Sequence, residues 1–248
     1  MSNIRVMSFN SKKCSVMSFR PCRNSHNIEY TIHETVLTRS KTYKYLGLHL
    51  SDDFKWTTHI SRITKKAFQQ LCFVRRNTRN LPKSFRETAY KSLIRPHVEY
   101  CSSVWDPHTL SDTQKIERIQ RQAARYVTGD YRRTSSVSEM LHNLKWTNLS
   151  SRRSVNRLAM IYKILNGHSA ITPNNFFEFN KTQTRKKHNL TLRTYQPRGN
   201  IDKFAFVQRS IPEWNTLPNV VVQANSTEQF RVLLEEHLQQ NPLPSLAF

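Results

Sequence analysis

The sequence predicts an α+β chain, mostly α, in which a short N-terminal antiparallel β segment is followed by a helical bundle. Three observations predict it. Short β-prone runs alternate apolar and polar residues up to about residue 50, and from residue 54 the apolar residues recur every three or four positions. Capping pairs stand at the start of later periodic segments. Two of the four glycines, Gly129 and Gly167, stand just past predicted helix ends.

Cys14–Phe19, Ile28–His33 and Tyr43–Leu50 read as the strands. Next, Trp56, Ile60, Ile63, Ala67, Leu71 and Val74 share one face of a helix, with Arg62, Lys65, Lys66, Arg75 and Arg76 mostly elsewhere. Leu81-Pro82 ends that helix, and Pro82 suits the first turn of another that runs to about Arg95. Pro96 should kink or break it, with Val98–Trp105 continuing as a short helix and Asp106-Pro107 making a turn.

Ser111 and Gln114 form a capping box. The helix they open turns Ile116, Ile119, Ala123 and Val127 inward and carries Lys115, Arg118, Gln122 and Arg125 on its other side. Ser136 and Glu139 make a second box. A longer helix follows over about 148–166, with Leu158, Ile161 and Leu165 inward. Residues 168–200 are polar and basic, and read as a loop or linker with a short strand at Leu190–Leu192. Phe204–Pro218 is apolar again. Ser226 and Gln229 cap a last amphipathic helix bearing Phe230, Leu233, Leu234 and Leu238.

The charge is the strongest functional signal. Thirty-nine Lys and Arg oppose seventeen Asp and Glu among 248 residues, a net charge of +22. Residues 210–248 hold one Arg and four Glu, a net of −3, which leaves +25 on residues 1–209. Such a field attracts polyanions, and neutralising phosphates releases their counterions. The plainer alternative is a solvated surface. An aromatic content of 10% speaks against a disordered chain. The N-terminus has no apolar stretch of the signal-peptide kind, and no run is long enough to span a membrane. With four cysteines, these features point to an intracellular protein, nuclear or cytoplasmic, with reduced thiols.

The candidate phosphate contacts are Lys115, Arg118 and Arg125 with Arg132 and Arg133, and then Lys65, Lys66, Arg75 and Arg76. Arg152, Arg153 and Arg157 crowd a helix start, where cations oppose the dipole; a polyanion or internal salt bridges would explain them. The run Arg185-Lys186-Lys187-His188 is a phosphate patch, an import signal or an ordinary basic cluster. Cys14, Cys22, His26 and His33 lack zinc-knuckle spacing. The four tryptophans, at 56, 105, 146 and 214, read as core anchors.

Five segments resemble the C-terminal part of a non-LTR (LINE-class) retrotransposon reverse transcriptase. They are Phe9-Asn10-Ser-Lys-Lys-Cys14-Ser-Val-Met17, Tyr45-Leu46-Gly47 with Trp56 and His59-Ile60, Ile94–Pro107, Gln120-Arg-Gln-Ala-Ala-Arg125, and Ile211-Pro-Glu-Trp-Asn-Thr-Leu-Pro218. They occur in that family's order and cover nearly the whole chain. The resemblance implies a remnant of the palm edge over 1–53 and a thumb-like helical domain over 54–167. A basic linker over 168–203 and a C-terminal segment over 204–248 would follow.

The resemblance also implies sequence-independent contacts with RNA or DNA. The family's polymerase needs paired Mg²⁺ ions held by carboxylates. Its Asp-Asp turn would lie before residue 1, so no activity and no cofactor are expected of this chain alone, Mg²⁺ entering only with that segment. Activity in a longer or complemented polypeptide, and a translated relic without selected function, are the alternatives. Asp52-Asp53 is the one Asp pair, and it reads as turn and helix-start acids.

Overall fold

A computed structural model describes residues 9–19, 28–180 and 188–241. The chain is α+β and mostly helical. It divides into two compact units, 1–62 and 63–248.

In the first unit β1 (Ser15–Val16) pairs in parallel with β4 (Thr38–Arg39), and β2 (Thr31–Ile32) pairs antiparallel with β3 (Thr35–Val36). β5 (Thr42–Tyr45) and β6 (Leu48–Ser51) form the longest ladder, with Tyr45 opposite Leu48 and Thr42 opposite Ser51. The single strand expected over Tyr43–Leu50 is therefore a hairpin. Leu46 and Gly47 have φ of 45° and 87°, the two positive values that a two-residue hairpin turn requires. Gly47 adopts its value without a Cβ clash.

The division between the units falls within α1 (Thr57–Asn77). Of its predicted inward residues, Ile60, Ala67, Leu71 and Val74 are buried, while Trp56 and Ile63 are half-buried. α2 (Lys83–Ala89) starts after Pro82 and passes into a wide π turn at Tyr90–Ile94, then α3 (Arg95–Glu99). Pro96 therefore does not break the helix. Proline lacks an N–H and its ring meets the carbonyl four residues back; the widened turn just before it relieves that clash. The break comes later, at Cys101 with φ 51°, so Val98–Trp105 is not continuous and α4 (Ser102–Trp105) is a separate turn.

α5 (Leu110–Thr128) buries Ile116, Ile119, Ala123 and Val127 as expected and ends at Gly129 in the left-handed region. Its cap is Thr109, whose hydroxyl accepts from the Asp112 amide, and not Ser111. α6 (Val137–Asn143) is capped by Ser136 through the Glu139 amide, as predicted. α7 (Leu149–Leu165) buries Leu158 and Ile161; Leu165 is half-buried.

Short α8 (Asn200–Lys203) precedes α9 (Phe206–Asn215), α10 (Asn219–Val222) and α11 (Thr227–Gln240), the last capped by Ser226. α7, α9, α10 and α11 enclose one core around Trp214 and Phe230, and Phe177 and Leu192 belong to it. The expected linker over 168–203 is thus partly core, and residues 54–167 and 204–248 are not separate domains. The short strand at Leu190–Leu192 reduces to one bridge, Phe179 with Leu192. Trp214 explains this anchoring. Its indole donates to the Leu190 carbonyl at 2.9 Å, while the Asn215 amide both accepts from Leu192 N and donates to Leu192 O at 2.8 Å.

Candidate nucleic-acid interface

All the predicted cations lie in the second unit, and they fall into three structural groups. Lys65, Lys66, Arg75 and Arg76 are exposed along α1. Arg118 is exposed on α5, and Arg133 is exposed in the loop after it. These six present free charge to solvent, and no ion pair among the described residues engages them.

A second group is engaged by neighbouring groups. Lys115 pairs with Asp112 at 2.7 Å. Arg132 grips Asp130 through Nε at 3.2 Å and Nη2 at 2.9 Å, which with Ser135 drives the Asp130 carboxyl well below its ordinary range. Arg125 is half-buried and donates to the Arg132 carbonyl at 3.0 Å.

Arg152 and Arg153 form the third group, and of the two the buried Arg153 is a correction. Arg153 is 1% exposed, with Nε 2.7 Å from Asp106 Oδ1, and Arg152 is paired with Glu99. Arg157 is also 1% exposed and bridges Asp106 and Glu213. Arg209 completes the cluster, 3.3 Å from Asp106 Oδ2 and donating to the Asp106 and Pro107 carbonyls.

The cations at the start of α7 are therefore matched by carboxylates brought from α3, α9 and the turn before α5. The helix start itself is capped by Glu117 of α5, which accepts from the amides of Leu149 at 3.2 Å and Ser150 at 2.7 Å. Carboxylates at that end satisfy both the dipole and the open amides. The buried Arg153 and Arg157 are not available to a phosphate.

The sequence reading missed a concavity in the basic surface. Arg75, Arg76 and Arg79, from α1 and the turn after it, face Arg86 of α2 across an open cleft of about 770 Å³. Tyr126, Gly129 and the exposed Tyr131 line it. Arg86 is held in place: Nη1 donates to the Tyr126 carbonyl at 2.9 Å and its guanidinium lies 5.9 Å from the Tyr126 ring centre. Arg86 Nε is buried with no hydrogen-bond partner among the described residues.

Among the described residues no carboxylate lines the cleft, and Asp130 beside Gly129 is taken up by Arg132 and Ser135. Four arginines line one concavity, three of them beside the Arg86 held by Tyr126, and such a cluster suits a phosphate-bearing chain. Arg75, Arg76 and Arg79 were available as a one-turn cluster in the sequence. Arg86 and Tyr131 were not, because only the packing of α2 on α5 brings them there.

Asp52 and Asp53 lie in a turn, as predicted, but four or more residues before α1 and outside its first turn. Asp53 accepts from Lys55 N at 3.0 Å, with Lys55 Nζ at 3.6 Å. No cluster of three or more metal-ligating side chains occurs among the described residues. Cys22 and His26 of the zinc arrangement, and Arg185-Lys186-Lys187, lie outside the described residues. Trp105 and Trp214 are core residues; Trp146 is half-buried and stacks on Tyr90 at 4.4 Å, and Trp56 is half-buried.

Among the described residues no helix is long and apolar enough to cross a membrane. Compared with known proteins, the chain matches no family model, no curated protein and no solved structure.

Proposed function

We propose that this chain binds RNA or DNA through phosphate contacts, as a reverse-transcriptase-like thumb fragment without polymerase activity of its own. The observation that carries the reading is the cleft of Arg75, Arg76, Arg79 and Arg86, unopposed by carboxylate. Exposed Lys65, Lys66, Arg118 and Arg133 extend the positive surface around it. Nuclear or cytoplasmic residence, with access to nucleic acid, belongs to the same proposal. Mg²⁺ enters it only with carboxylates supplied from elsewhere.

The test is a titration of the chain with a labelled duplex of arbitrary sequence over a range of salt. Affinity should be insensitive to sequence, and log K should fall linearly with log salt at about −0.9 per phosphate neutralised. Replacing Arg75, Arg76 and Arg79 by Ala should flatten the slope by about 3. Absence of binding at low salt, or a slope near zero, overturns the reading. Primer extension by the isolated chain with Mg²⁺ should yield no product.

A further inference from the structure

The geometry points to a narrower role for the arginine cleft: it is a site for unpaired nucleotides, with phosphates among Arg75, Arg76 and Arg79 and a base stacked on Tyr131. This rests on the nucleic-acid reading above and deepens it.

The cleft's shape and its aromatic rim argue for this occupant. Its volume, about 770 Å³, is far larger than a bare anion needs and falls in the range that holds a compact organic ligand. A duplex could contact exposed cations along a helix face, as Lys65 and Lys66 offer, without any concavity. The cleft adds an aromatic wall to its charge.

Tyr131 is 54% exposed, in the loop after α5, at the edge of a four-arginine pocket. Within a duplex each base face is already stacked on its neighbours, so an exposed ring has nothing to receive. An unpaired base has a free face, and stacking on an aromatic ring is tolerant of sequence.

Tyr126 is the contrasting case. It is 2% exposed, its ring carries the Arg86 guanidinium, and its carbonyl accepts from Arg86. Tyr126 therefore serves to hold Arg86, and Tyr131 is the ring left for a ligand. Arg86 is a positioning and charge-bearing residue: one amine is committed to protein, and its Nε is left without a partner.

The experiment measures fluorescence anisotropy of the full chain with labelled twelve-nucleotide oligo-dT and oligo-U, and with a blunt duplex of equal length. Proteins compared are wild type, Tyr131→Ala, Tyr131→Phe and Arg79→Ala. Tyr131→Ala should weaken single-strand binding about 10-fold or more, within the span measured for base stacking. Its duplex affinity should stay within about twofold, since no phosphate contact is lost. Tyr131→Phe should bind like wild type, because stacking does not use the hydroxyl.

Arg79→Ala should weaken single-strand binding and reduce its salt slope by about 1. A loss on oligo-U, on oligo-dT or on both supports the site, and the stronger effect names the natural strand. Equal effects of Tyr131→Ala on single strand and duplex, or no effect on either, overturn it while leaving the general reading intact. Wild-type protein that binds neither form overturns the general reading instead.

Discussion

His59 shows how one side chain records its surroundings. It is 1% exposed and its Nδ1 accepts from the His49 amide at 3.3 Å. Burial first, then the charge of nearby His49, lowers its pKa from 6.5 to about 4. The unfolded chain thus takes up a proton near pH 6.5 that the folded chain refuses until about pH 4. Stability is intact above pH 6.5 and falls across that window, by about 3 kcal/mol for a shift of this size. His59→Asn should keep the accepted hydrogen bond and remove most of the slope; an unchanged pH–stability curve between 6.5 and 4 would refute this. Residue type made these histidines visible in the sequence, but not their burial. His59 was readable only as part of a motif. In the same way, Arg153 and Arg79 are both arginines near helix ends. Only the position of Asp106, 47 residues before Arg153 in the chain, makes one internal and leaves the other free.

At the scale of elements, α7 concentrates the balance between charge and burial. Three guanidiniums, from Arg153, Arg157 and Arg209, converge on Asp106, with Glu213 a second carboxylate on Arg157. Removing a partner from a buried network leaves an uncompensated charge. Asp106→Asn should therefore cost about 3–5 kcal/mol, read as a fall in the chemical-denaturation midpoint. A loss below about 1 kcal/mol would mean that water reaches the cluster. Glu117→Ala opens the amides at the start of α7 and should cost about 1–2 kcal/mol. Periodicity made the apolar face of α5 legible, with Ile116, Ile119, Ala123 and Val127 buried as spacing required. It failed where the backbone is local and special. The π turn before Pro96, the left-handed Cys101 and the turn at Leu46-Gly47 each keep an apolar pattern running through a change of path. The burial of residues 188–192 escaped for another reason. Their setting reads as a linker with a short strand, yet Trp214 and Asn215 satisfy the Leu190 and Leu192 backbone groups, so the segment lies in the core with one bridge, to Phe179.

For the whole molecule, the two units differ in what holds them. Residues 63–248 carry the large apolar core around Trp214 and Phe230 and the buried ion network. Among its described residues the first unit has three two-stranded ladders, and all four residues of β5 are exposed. Isolated two-stranded hairpins are marginal in water, because few apolar contacts offset the entropy of ordering the chain. Amide hydrogen exchange should therefore show β5 and β6 opening at lower free energy than α5 and α7. The difference should widen as pH falls from 6.5 towards 4, because His59 belongs to the first unit and only its folded form refuses the proton. Exchange rates need correction for their intrinsic pH dependence, and His59→Asn supplies the control in which the widening disappears. Equal protection of β6 and α7 at pH 7 would show that the first unit draws stability from contacts beyond its own ladders. Loss of protection in both units at one pH would show that the chain opens cooperatively, and the nucleic-acid surface of residues 63–248 would then share the acid sensitivity of the hairpin. If the units open separately, salt-dependent binding through Arg75, Arg76 and Arg79 should persist at pH 5 with the hairpin already exchanging, a result one titration at that pH can decide.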